Sequence, residues 1–166
     1  MITETRERKI AMPFNVLDIS PVTLDDDKSE LILLDQTLLP AETKYLRLTT
    51  VESIWEAIYK LQVRGAPAIG IAGGYGVYLA VKQSRAESFD GFYEEFRKAK
   101  DYLGSSRPTA VNLFWALDRM ERCLLANKDN SISDIKSALL AEAHLIREED
   151  EKVCRSIGEH ALALLK

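Results

Sequence analysis

Beyond residue 50, hydrophobic residues recur at intervals of three and four, which is the spacing of amphipathic helices. A capping-box pattern, Thr49-x-x-Glu52, precedes the first of these stripes. Three stripes each predict one helix with a single buried face. Their apolar positions are Ile54, Trp55, Ile58 and Leu61, then Phe89, Phe92, Phe96, Ala99 and Leu103, and then Ile135, Leu139, Ala143 and Ile146.

Residues 110–125 are apolar on most sides, which predicts a helix buried nearly all round. Helical spacing continues from Val153 to Leu164, and the acidic run Glu148–Glu151 before it is either a solvated face or the start of a final helix. The pattern stops in mid-helix at Lys166, which we take as a hint that the chain is a piece of a longer one.

Before residue 50 the apolar runs are shorter and lie between turn residues, as is typical of strands. Leu31–Asp35 and Tyr45–Leu48 are predicted strands, and residues 15–19 alternate weakly. We interpret residues 21–29, with their three aspartates, as a turn, and residues 1–12 as a loosely held arm. The expected fold is therefore α+β, with a small N-terminal antiparallel sheet followed by a mainly helical bundle. Residues 1–50 and 51–166 are expected to form one structural unit.

Charge, hydropathy and the spacing of cysteine and histidine exclude several classes of function. The net charge of −4 and the lack of a basic stripe argue against nucleic acid as a partner. The sequence contains neither a membrane-spanning run nor a signal peptide. Cys123 and Cys154 lack the spacing of a metal site, and we expect ordinary buried thiols in a cytoplasmic protein. His144 and Glu148 stand four residues apart, but we interpret them as surface residues and expect no metal.

The densest cluster of unusual residues is the glycine-rich stretch at residues 63–76. Arg64 and Gly65 form a predicted tight loop, and Pro67 suits the first turn of a helix that runs to about Val81. Free N–H groups at such a helix start favour an anion, and Arg64 adds donors suited to phosphate. A glycine inside a helix costs about 1 kcal/mol relative to alanine, so several of them need a compensating gain. The alternative is that close packing between helices provides that gain and that the glycines have no other role.

A second arginine, Arg107, stands directly before a proline, and that proline precedes a predicted helix. If the two helices lie side by side, their N-termini would bring Arg64 and Arg107 to one anion. The alternative is that one or both arginines form ion pairs with the surplus acidic residues of the chain. We found no residue pair suited to acid–base catalysis and assign no catalytic residue.

Four segments together resemble the methylthioribose-1-phosphate isomerase family, which is related to the regulatory subunits of translation initiation factor 2B. They are Leu34–Pro40, Val63–Gly70, Ser106–Leu113, and Glu149–Glu151 followed by Cys154-Arg155-x-Ile157-Gly158. The resemblance implies an isomerase that converts 5-methylthioribose 1-phosphate to its ribulose form in methionine salvage, without a cofactor, and as a homodimer. It also implies that Arg64, Gly65, Ala66 and Arg107 bind the phosphosugar substrate.

The family's catalytic cysteine and aspartate lie in a Rossmann-like C-terminal domain, and its threonine–x–cysteine–asparagine–x–glycine stretch does not occur in this sequence. The resemblance therefore implies an N-terminal domain alone, which binds substrate without turning it over. Two alternatives stay open. One is a regulatory module, related to the initiation-factor subunits or to ribose-1,5-bisphosphate isomerase, that binds a sugar phosphate or nucleotide. The other is a purely structural helical interaction domain.

Overall fold

The computed structural model describes residues 19–164, and within that range three strands precede five helices. The strands are β1 (Val22–Asp25), β2 (Glu30–Leu34) and β3 (Tyr45–Leu48), and the helices are α1 (Val51–Tyr59), α2 (Ala66–Lys82), α3 (Phe89–Ser105), α4 (Val111–Ala126) and α5 (Ile132–Leu164). The predicted α+β fold, with a small sheet before a helical bundle, is confirmed. The predicted arm and most of the weak strand signal at residues 15–19 lie outside the described residues.

The sheet is antiparallel with the order β1-β2-β3. Both predicted strands of the pair β2 and β3 are confirmed, and Leu31 of β2 lies opposite Leu48 of β3. The prediction that residues 21–29 are all turn was wrong, because Val22 to Asp25 form β1. Val22 is buried and pairs with Leu33, so one inward apolar residue and the pairing with β2 outweigh the turn-forming aspartates.

The structure decides two details of the helix starts. The capping box of α1 uses Thr50 and Ser53 instead of Thr49 and Glu52. Of the two alternatives for the acidic run Glu148–Glu151, the solvated face is the one observed, because the run lies within one helix of 33 residues, α5, and Glu148, Glu149 and Glu151 are exposed. No proline interrupts that segment, and the acidic run within it is partly neutralised because Glu149 forms an ion pair with Arg119 of α4.

Helix α2 lies at the centre of the bundle, with nearly every residue from Ala68 to Tyr78 buried. Its glycines allow close packing: a Cβ atom on Gly70 would lie 2.9 Å from the Asn112 carbonyl oxygen of α4, and one on Gly73 would lie 2.5 Å from Leu113 Cδ1. Close packing against α4 therefore accounts for Gly70 and Gly73, while no atom lies near a Cβ on Gly65. Close contact along α4 also brings the N-termini of the two helices to the same end of the bundle.

Helix α4 is less buried than its composition predicted. Leu113, Leu117 and Met120 face the core, whereas Val111 is 78% exposed and Trp115 46% exposed. The prediction of a helix buried nearly all round was wrong, because α2 and α5 cover only part of its apolar surface. Within residues 19–164, no helix is both long and apolar enough to span a bilayer.

Side chains of the sheet and of the helices share one buried cluster. Leu31 and Leu33 of β2 belong to it together with Ile54, Ile58 and Tyr75 of the helices. The cluster agrees with the expectation that the two segments form one unit, although their folding as one unit stays a prediction.

Candidate functional site

One cavity of about 620 Å³ opens at the end of the bundle where α2 and α4 begin. All four residues predicted to bind substrate line it, namely Arg64, Gly65, Ala66 and Arg107. Sequence reasoning did not single out the other lining residues, which are Leu61, Ile69, Thr109, Ala110, Val111 and Asn112. The structure thus brings the two arginine-bearing loops to one place. Their role in binding stays a prediction.

The first loop joins α1 to α2 and takes an unusual path. Leu61 has a φ of 58° and Gly65 a φ of 90°, so the chain visits the left-handed region twice within five residues. Glycine adopts such a φ without strain, which explains its place directly after Arg64. Arg64 is exposed, and its Nε donates a hydrogen bond to the Leu61 carbonyl oxygen at 3.2 Å. This bond closes the loop on itself.

The second loop joins α3 to α4 and carries Arg107. The Ser106 hydroxyl donates to the Leu103 carbonyl at 2.6 Å, and the Ala110 N–H donates to the Arg107 carbonyl at 3.0 Å. Arg107 is half-buried. Its Nε is fully buried and has no hydrogen-bond partner among the described residues. A buried donor without an acceptor is costly, but Arg147 Nε is in the same condition and does not line this cavity, so the buried Nε alone does not mark a ligand site.

The two helices that begin at the cavity differ from the others in their caps. A side-chain oxygen caps α1 at Thr50 and α3 at Ser88, and Ser131 accepts from the Asp134 N–H at the start of α5. In contrast, Gly65 and Ala110 precede α2 and α4 and provide no side-chain cap. The Leu113 N–H bonds to the Ala110 carbonyl and Pro67 has no N–H, but the other first-turn N–H groups of these helices remain available, and with the helix dipole they favour an anion.

Neither arginine forms an ion pair with an acidic side chain among residues 19–164. The alternative that the surplus acids neutralise Arg64 and Arg107 is therefore wrong for the described part of the chain. The cavity wall carries two guanidinium groups and no carboxylate. Such a wall suits a phosphate or carboxylate ligand, which arginine binds through paired hydrogen bonds.

An apolar groove of about 410 Å³ adjoins the cavity and shares Val111 and Asn112 with it. Its walls come from α2, α4 and α5, and its lining residues are Pro67, Gly70, Ile71, Val111, Asn112, Trp115, Ile146, Glu149, Asp150 and Val153. Burial, and secondarily the charge of Glu151, raises the pKa of the Asp150 carboxyl. Because the groove is mainly apolar, it suits a nonpolar group attached to an anion held next door.

The remaining candidate chemistry lies away from this cavity. His144 is half-buried, and its Nδ1 is 2.9 Å from the Tyr75 hydroxyl, so it is not the surface residue that we expected. Cys123 is half-buried and Cys154 is exposed, which corrects the expectation of two buried thiols. Burial, followed by the charge of Glu142, raises the pKa of the Cys123 thiol. That thiol therefore stays protonated and is a poor nucleophile.

The chain matches known proteins of one family. Residues 62–166, more than half of the chain, match the model of the Initiation factor 2 subunit family. The chain is 64% identical over 148 residues to a methylthioribose-1-phosphate isomerase of Symbiobacterium thermophilum. It is 49% identical over 150 residues to a 5-deoxyribose 1-phosphate isomerase of Petrotoga mobilis. These alignments cover 89% and 90% of this chain but 41% and 43% of the relatives, so the chain spans about two fifths of their length.

Two solved structures share the fold. A 5-methylthioribose 1-phosphate isomerase from Pyrococcus horikoshii gives a TM-score of 0.73 at 38% identity, over 78% of this chain and 36% of that one. The delta subunit of translation initiation factor eIF-2B from A. fulgidus gives 0.72 at 39% identity, over 80% and 37%. The expected resemblance to the isomerases and to the initiation-factor subunits is confirmed, and the chain belongs to the Initiation factor 2 subunit family.

Proposed function

We propose that this chain forms the phosphate-binding part of an aldose–ketose isomerase that converts 5-methylthioribose 1-phosphate to 5-methylthioribulose 1-phosphate. The observation that carries the proposal is the meeting of Arg64 and Arg107 on one cavity wall. Backbone N–H groups of Gly65 and Ala66, together with both guanidinium groups, would hold the phosphate. The names of the relatives, a methylthioribose-1-phosphate isomerase and a 5-deoxyribose 1-phosphate isomerase, support a phosphorylated pentose as the ligand.

The groove beside the cavity supports a nonpolar group at the other end of this ligand. A 5-methylthio group or the methyl group of a 5-deoxy sugar is nonpolar, and Ile71, Trp115 and Val153 offer an apolar wall. Phosphate in the cavity and the 5-substituent in the groove would orient the sugar between them.

We assign the proton transfer of the isomerisation to residues outside this chain. Isomerisation moves a proton between adjacent carbons and requires a positioned acid and base. The described cavity wall carries no carboxylate, histidine or cysteine. The adjoining groove carries the carboxylates of Glu149, which is paired with Arg119, and of Asp150, and neither is assigned a catalytic role. We therefore expect the 166-residue chain to bind the substrate without converting it. A Rossmann-like C-terminal domain, a homodimer, a role in methionine salvage and a cytoplasmic location all stay predictions.

Calorimetric titration of the 166-residue chain with 5-methylthioribose 1-phosphate tests this function. We expect 1:1 binding that weakens in Arg64→Ala and in Arg107→Ala, and much weaker binding of unphosphorylated 5-methylthioribose. Arg85→Ala is the matched control, because Arg85 is an exposed arginine just beyond the opposite end of α2. Equal binding of the phosphorylated and unphosphorylated sugars would contradict the proposal, as would turnover at the rate of a complete isomerase.

A regulatory module is the second candidate, favoured by the equally good match to the initiation-factor delta subunit. Because the fold is common to both solved relatives, ligand choice has to separate the two functions. A module that senses nucleotides would bind a nucleoside monophosphate more tightly than a pentose 1-phosphate. The same titration, repeated with adenosine monophosphate, distinguishes them.

A further inference from the structure

Two polar side chains are buried within residues 19–164, those of Asp35 and Ser106. Each lies beside one of the arginine-bearing loops. Ser106 directly precedes Arg107 and bonds within its own turn. Asp35 follows β2 and bonds across a gap of 27 residues to the loop before α2. A buried carboxylate without an ion pair is costly, so its bonds to this loop need a reason.

The bonds of Asp35 form a short relay to Arg64. The Thr37 hydroxyl and N–H donate to Asp35 Oδ1 at 2.6 and 3.0 Å, and Gln62 Nε2 donates to Oδ2 at 2.8 Å. The Gln36 N–H donates to the Gln62 carbonyl at 2.9 Å. The Gln36 amide then reaches the Arg64 carbonyl at 3.5 Å, at the limit of a hydrogen bond.

The relay holds the stretch of backbone that carries the left-handed Leu61 and Gly65. An unsupported loop with such a path would relax toward other conformations, because a non-glycine residue at positive φ is strained. Burial raises the pKa of the Asp35 carboxyl, but hydrogen bonds from Thr37 and Gln62 outweigh burial and the pKa lies below its usual value. The group is therefore an anion that accepts all three bonds at neutral pH.

We propose that Asp35 is a positioning residue for ligand binding: through Gln62 it holds the loop before α2, and with it Arg64, in place at the cavity that Arg107 also lines. Asp35 itself does not line the cavity. The inference rests on the proposed function for its ligand, but not for the geometry of the loop. Two measurements separate these parts.

The first measurement is a charge-exchange cycle on ligand affinity, with 5-methylthioribose 1-phosphate as the probe. Gln62→Glu places two carboxylates in contact and is expected to weaken binding about tenfold. Adding Asp35→Asn restores a donor–acceptor pair at unchanged net charge, and the double variant should bind within about threefold of wild type. Glu30→Gln, which breaks the exposed pair with Arg47 in the same sheet, is the control and should leave affinity unchanged.

A merely structural role predicts a different result, in which the unfolding temperature falls but the folded variants bind as wild type. That result, or a double variant no better than Gln62→Glu alone, would overturn the inference while Arg64→Ala still weakens binding. If Arg64→Ala and Arg107→Ala have no effect either, the proposed function itself fails.

The second measurement needs no ligand. Hydrogen exchange of the Gln36 and Gln62 amides reports directly on the loop, because their acceptors are the Gln62 and Ala57 carbonyls. Asp35→Ala is expected to raise the exchange rates of both amides at least tenfold relative to amides of α5. Asp35→Asn can still bond to Thr37 and to a rotated Gln62 amide, so it is expected to raise these rates much less. Unchanged exchange at both amides in Asp35→Ala would contradict the inference, whatever the chain binds.

Discussion

The two loops that present Arg64 and Arg107 reach the same cavity by opposite means. The Arg107 loop is local: its bonds run between residues 103 and 110, and its arginine is half-buried with a buried Nε. In the other loop Arg64 is exposed, and the loop depends on bonds that Gln36 donates to it and that Asp35 accepts from it, although both residues are far away in sequence. We infer that the Arg107 loop is prearranged by its own helix ends, while the Arg64 loop depends on the fold of the sheet.

Because Arg107 is more buried than Arg64, removing the two arginines should affect ligand affinity unequally. Arg107→Ala should weaken binding of 5-methylthioribose 1-phosphate about a hundredfold and Arg64→Ala about tenfold, since charge-assisted hydrogen bonds contribute about 1.5–3 kcal/mol and weaken with solvent exposure. Titration calorimetry measures both. An equal or reversed order would indicate that burial of Arg107 does not govern its contribution.

The glycine contact between α2 and α4 underlies the meeting of both loops, so its loss should affect them together. Gly70→Ala introduces a Cβ 2.9 Å from the Asn112 carbonyl oxygen, which is backbone and cannot move aside freely. We expect a loss of about 1–3 kcal/mol in the free energy of unfolding, measured by urea denaturation. Gly158→Ala, with no atom within 4 Å of its new Cβ, is the control and should not destabilise the chain.

Ser106→Ala tests whether the Arg107 loop is locally determined. The variant loses the buried bond to the Leu103 carbonyl and should unfold about 1 kcal/mol more easily. Affinity should change by less than about twofold, because the Arg107 and Ala110 amides keep their own bonds in the turn. A large loss of affinity without a loss of stability would contradict the claim that several local bonds hold the Arg107 loop.

The smallest expected effect is a change in how the stability of the fold depends on pH in the acidic range. The pKa of Asp35 is lower in the folded chain than in the unfolded one, so the group stabilises the fold above its unfolded pKa of about 3.9. That contribution is lost as the pH falls through the lower, folded pKa. The free energy of unfolding, measured from pH 5 to pH 2.5, should therefore depend less on pH in Asp35→Asn than in wild type. Identical pH profiles would contradict the assigned role of the carboxylate.

Sequence patterns predicted local features well and contacts between distant residues poorly. The arginine–glycine and arginine–proline pairs predicted two loops at helix starts, since glycine and proline act on the backbone where they stand. The charge of the neighbouring residues could not reveal that Arg107 Nε is buried, nor that Gln62 reaches Asp35. Such contacts depend on how α1 and β2 pack, which periodicity does not encode.

One wrong prediction and one open alternative depended on contacts between helices. The spacing around Val111 and Trp115 was that of a buried helix, yet among the described elements α2, α3 and α5 cover only part of the apolar surface of α4. The acidic run at residues 148–151 was compatible with a helix start or a solvated face, and Glu149 pairs with Arg119 of α4 within a helix that continues. The extent of contact with neighbouring helices decides both outcomes, and periodicity does not encode it.

The alignment of β2 with its neighbours has a consequence for mutational tolerance. Side chains alternate across a strand, so a slip of one residue against Leu48 and Tyr45 would turn over the end of β2 and move the carboxylate of Asp35, which directly follows it, to the opposite side of the sheet. No strand residue of the described chain touches the cavity. Substitutions that loosen this small sheet should nevertheless weaken the contribution of Arg64 to ligand affinity, while that of Arg107 is kept.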